Sequence, residues 1–311
     1  MFTEAPRQTI ALHPEYTCDV LRLDLIHPEI SGNKWFKLKE NIVAAKSHGH
    51  TTLLTFGGAY SNHIAATAAA CKLLGINSIG IIRGEEPAGL NSTLQTAQLN
   101  GMQLHFMPRK DYAKKADPSF LQDLQTQFGP HWLVPEGGSN SEGIEGCRQI
   151  LDPHWDYDYV LCACGTGTTF AGLMASAASA RIIGISVLKG ENTMPEQVRQ
   201  SLQKLFPNKQ WKLQGDESMN ESTLNNHAIL SRYALNGYAA FHPALIAIKE
   251  EFQNNFDIPL DYVYTCKLML AAKDLMQASK FPKGSKVLLL HSGGLQGNVG
   301  FETRYQATLK R

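Results

Sequence analysis

Apolar residues fall in short unbroken runs along this chain, each closed by glycine or another turn residue and followed by a stretch with helical spacing. TTLLTFGG (residues 51–58) reads as a buried strand, and SNHIAATAAACKLLG (61–75) as a packed helix that stops at Gly75. The grammar repeats. NSIGIIRG (77–84) predicts a strand, Leu90 to Asn100 a helix closed by Gly101, and MQLHFMP (102–108) a further strand. It returns in DYVLCACGTGTTFAGLMASAAS (158–179), RIIGISVL (181–188) and KVLLLHSGG (286–294). Alternation of this kind predicts an α/β fold with two parallel sheets. Residues 190–230 are more polar and predict a helix with surface excursions. No linker rich in Pro, Gly or Ser interrupts the pattern, so the chain is expected to cross between domains more than once, leaving a cleft between two α/β layers.

A length of 311 residues accommodates two such domains at roughly 150 residues each. Charge narrows the partners: 29 Lys and Arg against 28 Asp and Glu leave +1, without the basic excess that nucleic acid binding needs. Six scattered cysteines form no CxxC pair, which favours a reducing compartment. The first 16 residues lack the apolar core of a signal peptide, and no apolar run reaches the roughly 18 residues that span a bilayer. A cytoplasmic protein without a membrane partner is expected. Cys162 and Cys164 face one way along a strand, but with no further ligand nearby they read as core thiols, and no metal site is expected.

Four segments carry candidate chemistry. In SGNKWFKLKENIVAAKSHG (31–49), Trp35, Leu38, Ile42 and Ala45 recur at helical spacing, which puts Lys34 in the first turn of a helix. A cation there opposes the helix dipole, so Lys34 is either a solvated lysine or one whose amine is used as a Schiff-base nucleophile. FGGAYSNH (56–63) joins a strand to a helix and places Ser61 and Asn62 at the strand end, either as plain caps or as ligand contacts. His63 there either faces the site or is an ordinary first-turn residue, and reads more as the latter. In CGTGTT (164–169), Gly165, Thr166, Gly167, Thr168 and Thr169 follow a buried strand and open a helix. Converging amides, hydroxyls and the helix terminus suit an anion, unless the segment is only a tight turn. It lacks the Walker lysine, and no acidic residue ends the next strand, so a lone phosphate group fits better than a nucleotide. HSGG (291–294) delivers Ser292 to a strand end in the same way, unless the segment is only a cap. PEGGSN (135–140), which holds Gly138, and YVYTCK (262–267), which holds Tyr264, are further polar clusters that local pattern does not mark.

Taken in order, SGNKWFKLK, FGGAYSNHIAATAAA, VPEGGSNSEGIEG, CGTGTT, YVYTCKLM and LLLHSGG resemble the pyridoxal-phosphate enzymes related to 1-aminocyclopropane-1-carboxylate deaminase and D-cysteine desulfhydrase, over residues 31 to 298. The resemblance implies the tryptophan-synthase-β-like architecture, fold type II. It would have a large cofactor domain made of residues 1–40 and 143–311, a small domain of residues 41–142, and pyridoxal 5'-phosphate in the cleft. It further implies that Lys34 forms the Schiff base, Asn62 bonds the ring 3-hydroxyl, Gly165 to Thr169 hold the phosphate, and Ser292 faces the pyridine nitrogen. Ser61 would approach the substrate carboxylate or move a proton, Tyr264 would line the reacting side, and His63 and Gly138 would join the substrate contacts. A small amino acid as substrate and a homodimer are implied with them.

Two departures bear on the reaction. Deaminases of this family carry glutamate after the YVY tyrosine and Gln after the Ser-Asn pair, where this chain has Thr265 and His63. Loss of that carboxylate weakens the stabilisation that opening a cyclopropane requires. The resemblance therefore implies β-elimination from D-cysteine to pyruvate, ammonia and sulfide, with the deaminase giving 2-oxobutyrate as the alternative. Trp35-Phe36 stands where Thr-Arg or Leu-Arg is usual. A reading of another class is a phosphate-ligand binder without catalysis.

Overall fold

The computed structural model describes residues 2–190, 192–215 and 224–309; residues 216–223, part of the polar span expected to carry surface excursions, lie outside the described residues. The chain divides into two compact units, Met1–Asn33 with Cys147–Arg311, and Lys34–Gly146. The strands are β1 (Arg7–Ile10), β2 (Thr17–Arg22), β3 (Thr52–Gly58), β4 (Asn77–Arg83), β5 (Met102–Met107), β6 (Trp132–Val134), β7 (Tyr159–Cys164), β8 (Arg181–Ser186), β9 (Leu213–Gly215), β10 (His227–Leu230) and β11 (Lys286–His291).

The unit made from both chain ends holds a seven-stranded sheet in the order β1-β2-β11-β7-β8-β10-β9. Only β1 runs antiparallel, pairing with β2; the other neighbours are parallel. Every residue of β7 is buried, as a parallel strand covered on both faces requires, and this explains why YVLCAC carries no polar alternation. Leu161, Leu289 and Val20 stand in register across the sheet centre. They pack with Leu268, Met269, Ala272 and Leu275 of the Thr265–Gln277 helix into one core.

The Lys34–Gly146 unit holds a wholly parallel sheet in the order β5-β4-β3-β6. Its Asn62–Leu74 helix is buried over most of its length, and its alanines permit that close packing. Ser61 caps the helix by accepting from Ile64 N–H at 3.3 Å, and Gly75 closes it in the left-handed conformation. The next helix starts at Ser92, two residues later than its apolar pattern suggests, because Asn91 caps it with a 3.0 Å bond from Leu94 N–H. In the Asn33–Ser47 helix, Leu38, Ile42 and Ala45 are buried as their spacing requires, whereas Trp35 is only half-buried.

The polar span after residue 190 contains the expected helix, Met194–Leu205, and also the short strands β9 and β10, which the pattern does not reveal. All six cysteines are free and buried. Among the described residues, no helix is long and apolar enough to cross a membrane.

Candidate active site

In the unit built from both chain ends, three of the segments singled out by sequence meet at one residue. The Asn33 side-chain amide donates to Thr169 Oγ1 at 2.8 Å, and the Asn33 backbone N–H donates to the Ser292 carbonyl at 3.3 Å. Asn33 thereby ties the CGTGTT turn and the HSGG turn together. Lys34 follows it in the chain, about 3.8 Å away between Cα atoms. Gly32 makes the approach possible: at φ +74°, a Cβ there would stand 1.9 Å from the Ser292 carbonyl oxygen.

The CGTGTT turn ends β7 and opens the Thr168–Ala175 helix, whose N-terminus has no side-chain cap. Thr168 and Thr169 are buried, and the Thr166 and Thr168 hydroxyls are 2.9 Å apart. The first amides of the helix, which have no partner within it, and these hydroxyls form a donor-rich cradle. Tyr264 borders it, its ring edge 3.3 Å from where a Cβ on Gly165 would lie.

Thr265 is turned elsewhere. Its hydroxyl bonds Asp261 Oδ1 at 2.8 Å, and the Asp261 carboxylate also accepts from the N–H groups of Val263, Tyr264 and Thr265 at 2.8 to 2.9 Å. Burial raises the pKa of Asp261 and these bonds act against the rise. Position 265 thus completes a buried cap that fixes the backbone of Tyr264.

Behind Ser292 lies a buried group that the sequence reading missed. Arg22 makes a two-pronged bond to Asp24, Nε to Oδ1 at 2.9 Å and Nη2 to Oδ2 at 2.7 Å. His291 Nδ1 stands 3.1 Å from Asp24 Oδ1 and 3.3 Å from Gly293 N, while Nε2 bonds the Pro259 carbonyl at 2.7 Å. These three side chains hold the root of the turn that presents Ser292.

In the Lys34–Gly146 unit, Lys34 occupies the first turn of the Asn33–Ser47 helix, as its spacing predicts. One turn on, Lys37 is 5% exposed and donates from Nζ to the Gly137 carbonyl at 3.0 Å. Asn41, one turn further, bonds Asn140 and accepts from Trp132 Nε1 at 3.1 Å. This ladder fixes the PEGGSN loop against the lysine helix. Gly138, at φ +69°, lies so close that an added Cβ would be 3.0 Å from Lys37 Cβ and 3.6 Å from His63 Cε1. Ser61 is a cap, as the plainer of its two readings had it. Asn62 carries a buried Oδ1 without a hydrogen-bond partner. His63 is buried, and burial, then the charges of Lys34 and Lys37, hold its pKa well below the usual imidazole range.

Lys34, Ser61, Asn62, His63 and Gly138 are thus carried by one unit, and Gly165 to Thr169, Tyr264 and Ser292 by the other. Residues 11–293 match the family model for pyridoxal-phosphate-dependent enzymes. The chain belongs to that family.

Similar proteins sharpen the placement of this pyridoxal-phosphate-dependent enzyme. The bifunctional D-cysteine desulfhydrase/1-aminocyclopropane-1-carboxylate deaminase of Arabidopsis thaliana is 28% identical, over 89% of this chain and 72% of the plant protein. The D-cysteine desulfhydrase of Yersinia pestis is 28% identical, over 88% of this chain and 86% of its own length. A crystal structure described as an ACC deaminase homologue superposes with a TM-score of 0.79 at 23% identity, covering 99% of this chain and 93% of the other. The processed threonine deaminase isoform 2 of Solanum lycopersicum reaches 0.65 at 14% identity, over 94% of this chain and 84% of its own. The fold is the tryptophan-synthase-β-like type II fold of pyridoxal-phosphate enzymes, with two mostly parallel sheets.

The residues present suit the cofactor. An uncapped helix N-terminus with glycines and threonine hydroxyls suits a phosphate, and the buried unpartnered Oδ1 of Asn62 marks a place where a polar group is due. A lysine that opposes its own helix dipole is accounted for once its amine is used covalently. Three contributors escaped the sequence reading. Asn33 was readable only as part of the GNK turn, Lys37 only as a lysine three residues after Lys34, and His291 had no local signal.

Proposed function

We propose that this enzyme eliminates the β-substituent of D-cysteine, converting D-cysteine and water to pyruvate, ammonia and hydrogen sulfide. The observation that carries the reading is Asn33, which joins the phosphate-type cradle and the Ser292 turn at the residue next to Lys34. When bound, pyridoxal phosphate supplies an electron sink that makes the α-proton of an amino acid acidic. Lys34 would hold the cofactor and, once its amine is released, take the α-proton. Gly165, Thr166, Gly167, Thr168 and Thr169 would bind the phosphate, Asn62 the ring hydroxyl, and Ser292 the ring nitrogen. Ser61 would receive the substrate carboxylate, with His63 and Gly138 beside it, while Tyr264 closes the reacting side and excludes water.

The ring-opening deaminase is the second reading, supported by the names of the relatives. Two considerations favour elimination. The cyclopropane substrate has no α-proton for Lys34 to take, and position 265 offers a hydroxyl bound to Asp261 instead of a free carboxylate.

The test is direct. Purified enzyme with added cofactor is expected to release sulfide and pyruvate in equal amounts from D-cysteine, and no 2-oxobutyrate from the cyclopropane acid. Borohydride reduction should fix the cofactor mass on the peptide containing Lys34. Lys34→Ala should lose that label and lower turnover by on the order of 10³-fold or more. Release of 2-oxobutyrate without sulfide would replace this reading with the deaminase, and a label on another lysine would remove Lys34 from its role.

A further inference from the structure

His63 has one ring nitrogen fully accounted for and one that is not. Its Nε2 lies 2.9 Å from Thr55 Oγ1, and the single proton of that hydroxyl is donated to the Val134 carbonyl at 2.7 Å. Thr55 can therefore only accept from His63, which puts the ring hydrogen on Nε2. In the neutral ring, Nδ1 is then a bare lone pair. Burial and the neighbouring Lys34 and Lys37 charges keep the ring neutral. Nδ1 is sealed from solvent without a hydrogen-bond partner.

A buried acceptor left unsatisfied costs about 1–3 kcal/mol, so an orphan at a purely structural position is disfavoured. The surroundings indicate what completes it. Cε1, the ring carbon bonded to Nδ1 and Nε2, lies 3.6 Å from where a Cβ on Gly138 would stand, a place with no side chain, and the charges acting on the ring are Lys34 and Lys37 of one helix. An amino acid brought to Lys34 has few donors to offer. Its amino group is committed to the cofactor, its carboxylate has no proton, and what remains is a hydrogen on the β-substituent.

We propose that His63 Nδ1 accepts a hydrogen bond from the thiol or hydroxyl on the substrate's β-carbon and so selects amino acids that carry such a donor. This rests on the proposed elimination at Lys34 and adds its specificity-determining contact. His63 orients the departing group and gives it no proton, because its only N–H is held by Thr55. Thr55 is thus a positioning residue: it sets which nitrogen of His63 is open.

The experiment compares D-cysteine with β-chloro-D-alanine, whose leaving group has no donor hydrogen, in the holoenzyme. The ratio of the two kcat/KM values is expected to fall about 10- to 100-fold in His63→Phe and to recover in part in His63→Gln, which restores an acceptor oxygen. A ratio within twofold of wild type in His63→Phe overturns the proposal. Long-range ¹H–¹⁵N correlation on histidine-labelled holoenzyme gives a readout independent of turnover. His63 should show a neutral ring protonated on Nε2 at pH 6.5, and its Nδ1 signal should move on addition of D-serine but not D-alanine. Protonation on Nδ1, or an equal response to both ligands, overturns it. An Nδ1 response to D-serine in an enzyme that releases no sulfide supports the acceptor contact while removing the desulfhydrase reading.

Discussion

His291 and His63 are 0% and 2% exposed, one in each unit, yet they are used in opposite ways. Both nitrogens of His291 are engaged, by the Pro259 carbonyl on one side and by Asp24 and the Gly293 amide on the other. His63 gives one nitrogen to Thr55 and keeps the other bare. A saturated buried histidine is scaffold: every bond it makes is to the chain, and the turn behind Ser292 is rigid because of it. An unsaturated one carries a standing cost that only a ligand removes. The contrast separates a histidine that belongs to the scaffold from one that is proposed to meet a ligand.

The contrast can be broken at several points. The largest effect is expected from Asp24→Ala, which leaves the buried Arg22 guanidinium without its carboxylate; urea denaturation should show a loss of about 3–5 kcal/mol. His291→Phe should cost about 2–4 kcal/mol in the same measurement, since it strands the Pro259 carbonyl and the Gly293 N–H. Equal stability of either variant and wild type would show that the network is not scaffold.

Acid should act next. The pKa of His63 lies well below the usual value, and that of His227, for which burial is the main cause, is lowered to about 4. Between these folded values and about 6.5 the unfolded chain binds more protons than the folded one. Stability is therefore fully present above pH 6.5 and falls as pH drops, by at most about 1.4 kcal/mol per pH unit for each ring. His63→Phe should flatten the curve below pH 6.5 relative to wild type, and unchanged curvature would contradict a neutral buried ring.

Ser61→Ala should cost about 1 kcal/mol through the lost cap, visible in thermal melts of the cofactor-free protein. The smallest effect on stability is expected from His63→Phe at pH 7, within about 1 kcal/mol of wild type, because the orphan acceptor disappears together with the Thr55 bond. A loss of several kcal/mol would place His63 with His291 as scaffold and end the comparison.

Of the strands that were legible in sequence, β3, β4, β7, β8 and β11 are parallel strands whose interiors are buried, so they show as apolar runs closed by turn residues, whereas β5 is an edge strand buried only at Met102 and Met107 and was legible from the turn residues around it. The strand β2 was not legible because it carries Asp19, whose carboxylate is satisfied by Thr9 and by Tyr157, the latter 138 residues away. The strands β6 and β9 have three residues each, too few for any period to show.

The site divides along the same line. Glycine turns at strand ends were visible because backbone geometry demands them locally. The bond from Asn33 to Thr169, the group of Arg22, Asp24 and His291, and the direction of Nδ1 in His63 depend on residues up to 269 positions apart, or on the donor of a single hydroxyl proton. Thr265 looked like a site position short of a carboxylate; in the fold its hydroxyl secures Asp261 and the backbone that presents Tyr264.

The six free cysteines have a consequence for an enzyme proposed to release sulfide. All are buried, and burial pushes the Cys71 thiol up to about 12 and raises those of Cys18 and Cys266 as well. Away from solvent, and with their thiolate forms disfavoured, Cys18, Cys71 and Cys266 are poor partners for mixed disulfides or persulfides. A catalyst proposed to liberate sulfide is thus chemically deaf to it at these positions, and alkylation of these residues, when it occurs, times the opening of the fold itself.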